Sequence, residues 1–80
     1  MPMHLRDAHK VVGAKQTMKA LQAGQTRVVY IARDAEPNVI LPIKRQCAEQ
    51  GVEIVEVETM AELGKACSID VGASVAGIVK

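Results

Sequence analysis

The sequence predicts an α/β fold, a three-layer α/β/α sandwich with a small mixed sheet, and three observations point to it. Segments with apolar residues at helical spacing alternate with short β-branched runs in the order αα-β-α-β-α-β, the pattern of a sheet with helices on its faces. The last run, Val75 to Val79, is almost wholly apolar, as a strand is when it lies in the middle of a sheet covered on both faces. The core must also be aliphatic, because 49% of the residues are hydrophobic yet Tyr30 is the only aromatic. Eighty residues with no linker, repeat or low-complexity stretch make a single domain, residues 1–80.

The elements follow in order. His4 to Val12 is a short helical candidate that stops at Gly13, and Ala14 to Ala23 is a second that stops at Gly24, where a helix commonly ends. Val11, Ala14, Met18 and Leu21 recur at spacings of one buried face, which leaves Lys15 and Lys19 together on another. Arg27 to Ala32 is brief and β-branched, a buried strand. Val39 to Gln50 places Ile40, Ile43 and Cys47 at helical spacing and ends at Gly51, but Pro42 implies that the helix begins near that residue or is kinked there. Val52 to Val57 is the second strand. Thr59 with Glu62 three residues later is a capping-box spacing, so a helix should start after Thr59 and run to about Cys67 with Met60, Leu63 and Cys67 inward. Ser68 to Gly72 is then a loop before the final strand.

Composition excludes several functions. A single aromatic leaves almost nothing on which to stack single-stranded bases. Cys47 and Cys67 are too far apart in sequence for a CxxC site and read as buried thiols of a reducing compartment. A thiol catalyst needs a lowered pKa and a nearby base, but both cysteines fall on apolar helix faces and His4 and His9 lie in or near the first helical candidate. No metal-ligand spacing occurs, and neither a cofactor nor a small-molecule substrate is expected. No leader segment or membrane-spanning run is visible, so the expected location is the cytoplasm, with no membrane partner.

Net charge is +1, but its distribution is uneven. Met1 to Arg45 holds eight Lys and Arg against three Asp and Glu, a net of +5, and Gln46 to Lys80 holds two against six, a net of −4. A one-sided positive surface of this kind suits a polyanion. The focus is Gly13-Ala14-Lys15-Gln16-Thr17-Met18-Lys19. A helix start carries unpaired N–H groups and partial positive charge, so lysine in its first turn works against local stability. Lys19, four residues on, adds like-charge repulsion of about 0.2–0.5 kcal/mol. A bound anion would resolve both, Gly13 would let it approach the backbone, and the Gln16 amide can donate to and accept from a base edge. The alternative is two solvated lysines on an outward face.

Several landmarks follow in a fixed order. Gly-x-Lys-Gln-x-x-Lys precedes a short strand, Ala-Arg-Asp comes next with Pro37 three residues later, Cys47 stands just before Gly51, and Leu63-Gly64-Lys65-Ala66-Cys67 closes the series. Together they resemble the kink-turn-binding L7Ae family of ribosomal proteins, most closely its short bacterial members of the YbxF type, over essentially the whole chain. The resemblance implies an α/β/α sandwich whose RNA-reading motif, Gly-x-Asn-Glu-x-x-Lys, falls on Gly13, Lys15, Gln16 and Lys19. Here Lys15 stands where archaeal members carry Asn and Gln16 where they carry Glu, so base recognition need not follow the archaeal pattern. The resemblance also implies a second contact at the loop before the last strand, where Ile69, Val71 and Gly72 would meet a flipped-out nucleotide. For Ile69 and Val71 the alternative role is anchoring the core at a strand entrance. Arg33, after the first strand, either reaches a phosphate or is simply solvated.

A bent target fits these positions physically. A regular A-form duplex hides its base edges in a deep, narrow groove that side chains cannot enter. A kink with tandem G·A pairs opens that groove and presents guanine acceptors to Lys15, Gln16 and Lys19. The expected function is therefore a monomeric, non-catalytic protein that binds kink-turn RNA and is ribosomal or ribosome-associated. The alternative is a protein-binding ribosome accessory domain without direct RNA readout.

Overall fold

The computed structural model describes residues 9–69 and 71–79. Its elements are β1 (Lys10–Val12), α1 (Ala14–Gln22), β2 (Thr26–Ala32), α2 (Pro37–Gln50), β3 (Glu53–Val57), α3 (Met60–Ala66) and β4 (Val75–Val79). The four strands form one mixed sheet in the order β1-β4-β2-β3. β4 runs antiparallel to both β1 and β2, while β2 and β3 are parallel, as strands joined by a crossover helix must be. α1 and α2 pack on each other over one face, and α3 packs against β2 and β3. This is the three-layer sandwich expected, with the apolar β4 between two neighbours. No helix among the described residues is long and apolar enough to cross a membrane.

Three elements differ from the sequence reading. Lys10 to Val12 is a strand and not the end of a first helix; residues 4–8 of that candidate lie outside the described residues. The pairing explains it, since β4 would otherwise present an open edge, and Val11 and Val12 are β-branched. The Val79 N–H donates to the His9 carbonyl at 2.9 Å and extends the ladder. Val11 therefore belongs to the sheet, and the buried stripe of α1 is Thr17, Ala20 and Leu21, flanked by half-buried Ala14 and Met18. α2 starts at Pro37, five residues before Pro42, and runs through it. Pro37 sits in the first turn, where its missing N–H is no loss. Pro42 removes the bond to the Asn38 carbonyl, but both residues are exposed and water can replace it. Finally, Met60 does not point into the core; it is 37% exposed at the head of α3, whereas Leu63 and Cys67 are buried.

The core joins Leu21, Tyr30, Ile31, Ile43, Leu63 and Val75 across both faces of the sheet. Register decides where a ligand could approach. Val12 lies opposite Ala76, Ile31 opposite Val75, and Ala32 opposite Val57. The ends of β1, β2 and β3 and the beginning of β4 thus share one end of the sheet, and α1, α2 and α3 all start there. In open α/β sheets ligands bind outside the carboxyl ends of the strands, where loops and helix starts converge.

Candidate nucleic-acid interface

Gly13 caps α1 with φ 98° and ψ 151°, a backbone that a side chain would strain. Its N–H donates to the Val75 carbonyl at 2.7 Å, and its own carbonyl accepts from the Thr17 N–H at 3.0 Å. The helix start is tied to the sheet by one bond, but it has no side-chain cap and no acid in its first turn. Burial of Thr17, Ala20 and Leu21 fixes the rotation of α1 and turns Lys15, Gln16 and Lys19 outward, all three exposed. Among the described residues the ion pairs involve Arg33 and Lys44, and neither Lys15 nor Lys19 has a carboxylate within salt-bridge distance. The Lys15 ammonium therefore stands in the first turn beside the orphan amides of a helix start, and Lys19, in the last turn, extends the cationic face along α1.

The segment from Ala73 to Val75 is stitched to three elements in succession. The Ala73 N–H donates to the Met60 carbonyl at 3.0 Å, the Ala32 N–H donates to Ser74 at 2.9 Å, and Val75 accepts from Gly13. The loop before it leans on α3 at Gly64, where any Cβ would overlap the Val71 carbonyl oxygen and come within 3.2 Å of the Gly72 Cα. Val71 is left 71% exposed, Gly72 is exposed and Ile69 is half-buried. Ala61, Glu62, Lys65, Ile69, Val71 and Gly72 line an open cleft of about 420 Å³ between α3 and this loop. The Gly13 bond to Val75 thus ties the start of α1 to the strand that follows this loop.

α3 is positioned by two caps. The Thr59 hydroxyl accepts from the Glu62 N–H at 3.1 Å, as the capping-box spacing requires, and the Asp34 carboxylate accepts from the Met60 N–H at 2.8 Å. Asp34 was not legible as a site residue, because its partner is 26 residues away. Replacing it by alanine should cost about 1 kcal/mol, the usual value of a helix cap. Asparagine keeps an acceptor and should restore most of that in a urea melt; equal loss in both variants would show that the bond to Met60 does not matter.

Arg33 does not join Lys15 and Lys19. It leans toward β3, with Nε 3.8 Å from Glu56 and a terminal nitrogen 3.7 Å from Glu58, and Lys44 approaches Glu56 at 3.3 Å. Such exposed, long pairs hold little and leave the guanidinium accessible. Glu62 and Lys65, which line the cleft, were missed by the sequence reading because only the return of the 68–72 loop makes them neighbours of Ile69 and Val71. Cys47 and Cys67 are buried free thiols, and burial pushes both above the ordinary thiol pKa, for Cys67 against a smaller opposing effect of Lys10. Neither has the environment of a nucleophile. Tyr30 is fully buried and offers no face to a base.

Comparison with known proteins places this geometry. The sequence matches the ribosomal protein L7Ae/L30e/S12e/Gadd45 family over residues 3–80, and the chain belongs to that family. RNA-binding protein TTE2299 of Caldanaerobacter subterraneus subsp. tengcongensis is 53% identical over 70 residues, covering 88% of this chain and 85% of the relative. RNA-binding protein YbxF of Geobacillus stearothermophilus is 39% identical over 70 residues, with the same coverage of 88% and 85%, so the chain resembles the short bacterial members. Among solved structures, the Giardia lamblia 15.5kD RNA binding protein superposes with a TM-score of 0.87 at 32% identity, over 98% of this chain and 67% of that one. These names are those of RNA-binding proteins and not of enzymes.

Proposed function

We propose that this chain is a non-catalytic RNA-binding protein that recognises kink-turn RNA, working as a monomer in the cytoplasm and as a ribosomal or ribosome-associated component. The observation that carries the reading is the pair of uncompensated lysines on the outward face of α1, Lys15 at its uncapped start and Lys19 a turn further on, with Gly13 bonded to the strand that follows the loop with exposed Val71. The names of the relatives support RNA as the polyanion. In this reading the amides at the start of α1 meet a phosphate, and Lys15, Gln16 and Lys19 reach guanine edges in the opened groove. Ile69, Val71 and Gly72 receive the extruded nucleotide, and Arg33 supports the backbone from the side of β3. No bond is made or broken. The protein acts by binding the bent conformer in preference to the extended one, which shifts the RNA toward the bend by the difference in affinity.

Energy transfer between fluorophores on the two arms of a kink-turn RNA tests this directly. Added protein should raise the transfer at a magnesium concentration where the free RNA is extended. The affinity should fall with salt by a log–log slope of about 0.7–0.9 per neutralised phosphate, and so small a basic face should cover only a few. Binding without salt dependence, or with no change in transfer, would overturn the proposal.

A further inference from the structure

Three hydrogen bonds close a ring around the end of the sheet where the helices start. The Ala32 N–H donates to the Ser74 carbonyl at 2.9 Å, the Ala73 N–H donates to the Met60 carbonyl at 3.0 Å, and the Met60 N–H donates to the Asp34 carboxylate at 2.8 Å. Ala73 and Ser74 are neighbours in the chain and Asp34 stands two residues after Ala32, so the path returns to its start. Two of these bonds join backbone to backbone and ask little of the residue type. The third depends on one side chain. Among the described residues it is also the only hydrogen bond that joins residues 33–36 to α3.

Met60 is the junction of the ring. Besides the bond from Ala73, a Cβ on Gly72 would stand 3.2 Å from the Met60 Cβ and 3.4 Å from its carbonyl carbon and oxygen, so residues 72 and 73 lie directly on the Met60 backbone. α3 has only seven residues, and Asp34 holds its first N–H at a fixed place beside the end of β2. Asp34 itself is exposed. A carboxylate there repels phosphate, so its removal should tighten RNA binding unless the bond it makes matters more. We infer that Asp34 is a positioning residue for RNA recognition: it touches no RNA, and by holding Met60 it keeps Val71 and Gly72 where the bent RNA meets them. This rests on the kink-turn reading above. Without the bond, the RNA itself must order that segment, and the cost of ordering comes out of the affinity.

The test is a pair of double-mutant cycles read by gel shift on kink-turn and duplex RNA. It compares Asp34→Ala, Asp34→Asn, Val71→Ala and Lys15→Ala with Asp34→Ala combined with each of the last two, at a temperature where melts show every variant folded. Asp34→Ala should bind kink-turn RNA about fivefold more weakly although it removes a negative charge, and should bind duplex no more weakly than wild type. Asp34→Asn, which keeps the acceptor, should stay within about twofold of wild type on the kink-turn. In the Val71→Ala background the Asp34→Ala loss should shrink below about twofold, because the two residues act through one contact, whereas in the Lys15→Ala background it should stay near fivefold. Kink-turn affinity unchanged or raised by Asp34→Ala, an equal loss in Asp34→Asn, or a full loss in the Val71→Ala background overturns this inference. Each of these leaves the kink-turn reading intact while the wild-type chain still prefers kink-turn to duplex. No such preference in the wild-type chain overturns both.

Discussion

Replacing Lys15 and Lys19 together by alanine is expected to weaken kink-turn binding about 30-fold while leaving the melting temperature unchanged or slightly higher. The affinity figure takes about 1 kcal/mol for each lysine, the lower end for a side chain that contacts a base or phosphate, because both groups are exposed and partly screened. The stability figure follows from what the lysines do not do. Neither is buried and neither pairs with a carboxylate among the described residues. Alanine removes about 0.2–0.5 kcal/mol of like-charge repulsion and, at position 15, an unfavourable charge at a helix start, and it is the best helix former; these offset the favourable last-turn position that Lys19 gives up. The two readouts must separate. A large fall in melting temperature would mean that the lysines hold the fold, and unchanged affinity would mean that the helix start is not the receptor.

Gly64→Ala is expected to do the reverse, striking stability first and binding through it. Propensity alone favours alanine in a helix by about 0.8–1.0 kcal/mol. Against that, the added methyl would overlap the Val71 carbonyl oxygen and crowd the Gly72 Cα, and these are backbone atoms that cannot swing aside as a side chain can. Overpacking of this kind costs typically about 1–3 kcal/mol and more where backbone must move, so a net loss of about 2 kcal/mol is expected. For a domain of this size that lowers the melting temperature by roughly 8–16 °C. Displacing Val71 and Gly72 should also weaken kink-turn binding, whereas a duplex bound only through charge should be less affected. A variant that melts like the wild type would show that the loop does not rest on α3 at Gly64.

What the sequence made legible was local. Gly13 and Gly24 bracket α1, and the N–H groups of Gly24 and Gln25 close its end on the carbonyls of Leu21 and Ala20 at 3.0 Å. Thr59 and Glu62 marked the start of α3, and the unbroken apolar run of β4 marked a middle strand. The outward face of Lys15, Gln16 and Lys19 could be read from the apolar spacing, even though Thr17 proved more deeply buried than Ala14 or Met18. What escaped depended on distant partners. β1 exists because Lys10 to Val12 lies opposite residues 76 to 78, and a three-residue strand has no local signature strong enough to announce that. Met60 is exposed because the returning loop, and not the core, is its neighbour: a Cβ on Gly72 would stand 3.2 Å from the Met60 Cβ. Arg33 turns toward Glu56 and Glu58 because the register of β3 beside β2 sets Ala32 opposite Val57, and the order of elements does not reveal a register.

Both expected losses of kink-turn binding presuppose that α1 and the neighbouring loop read one bent RNA. The most direct measurement is the affinity at fixed salt for three RNAs of equal length: a kink-turn, the same RNA with its tandem G·A pairs changed to Watson–Crick pairs, and a linear duplex. The kink-turn should bind at least tenfold more tightly than either of the others, a difference of about 1.4 kcal/mol, and Lys15→Ala with Lys19→Ala should remove most of that advantage. Equal affinity for all three would mean that the surface holds RNA through charge alone, which contradicts a site built to recognise the bend.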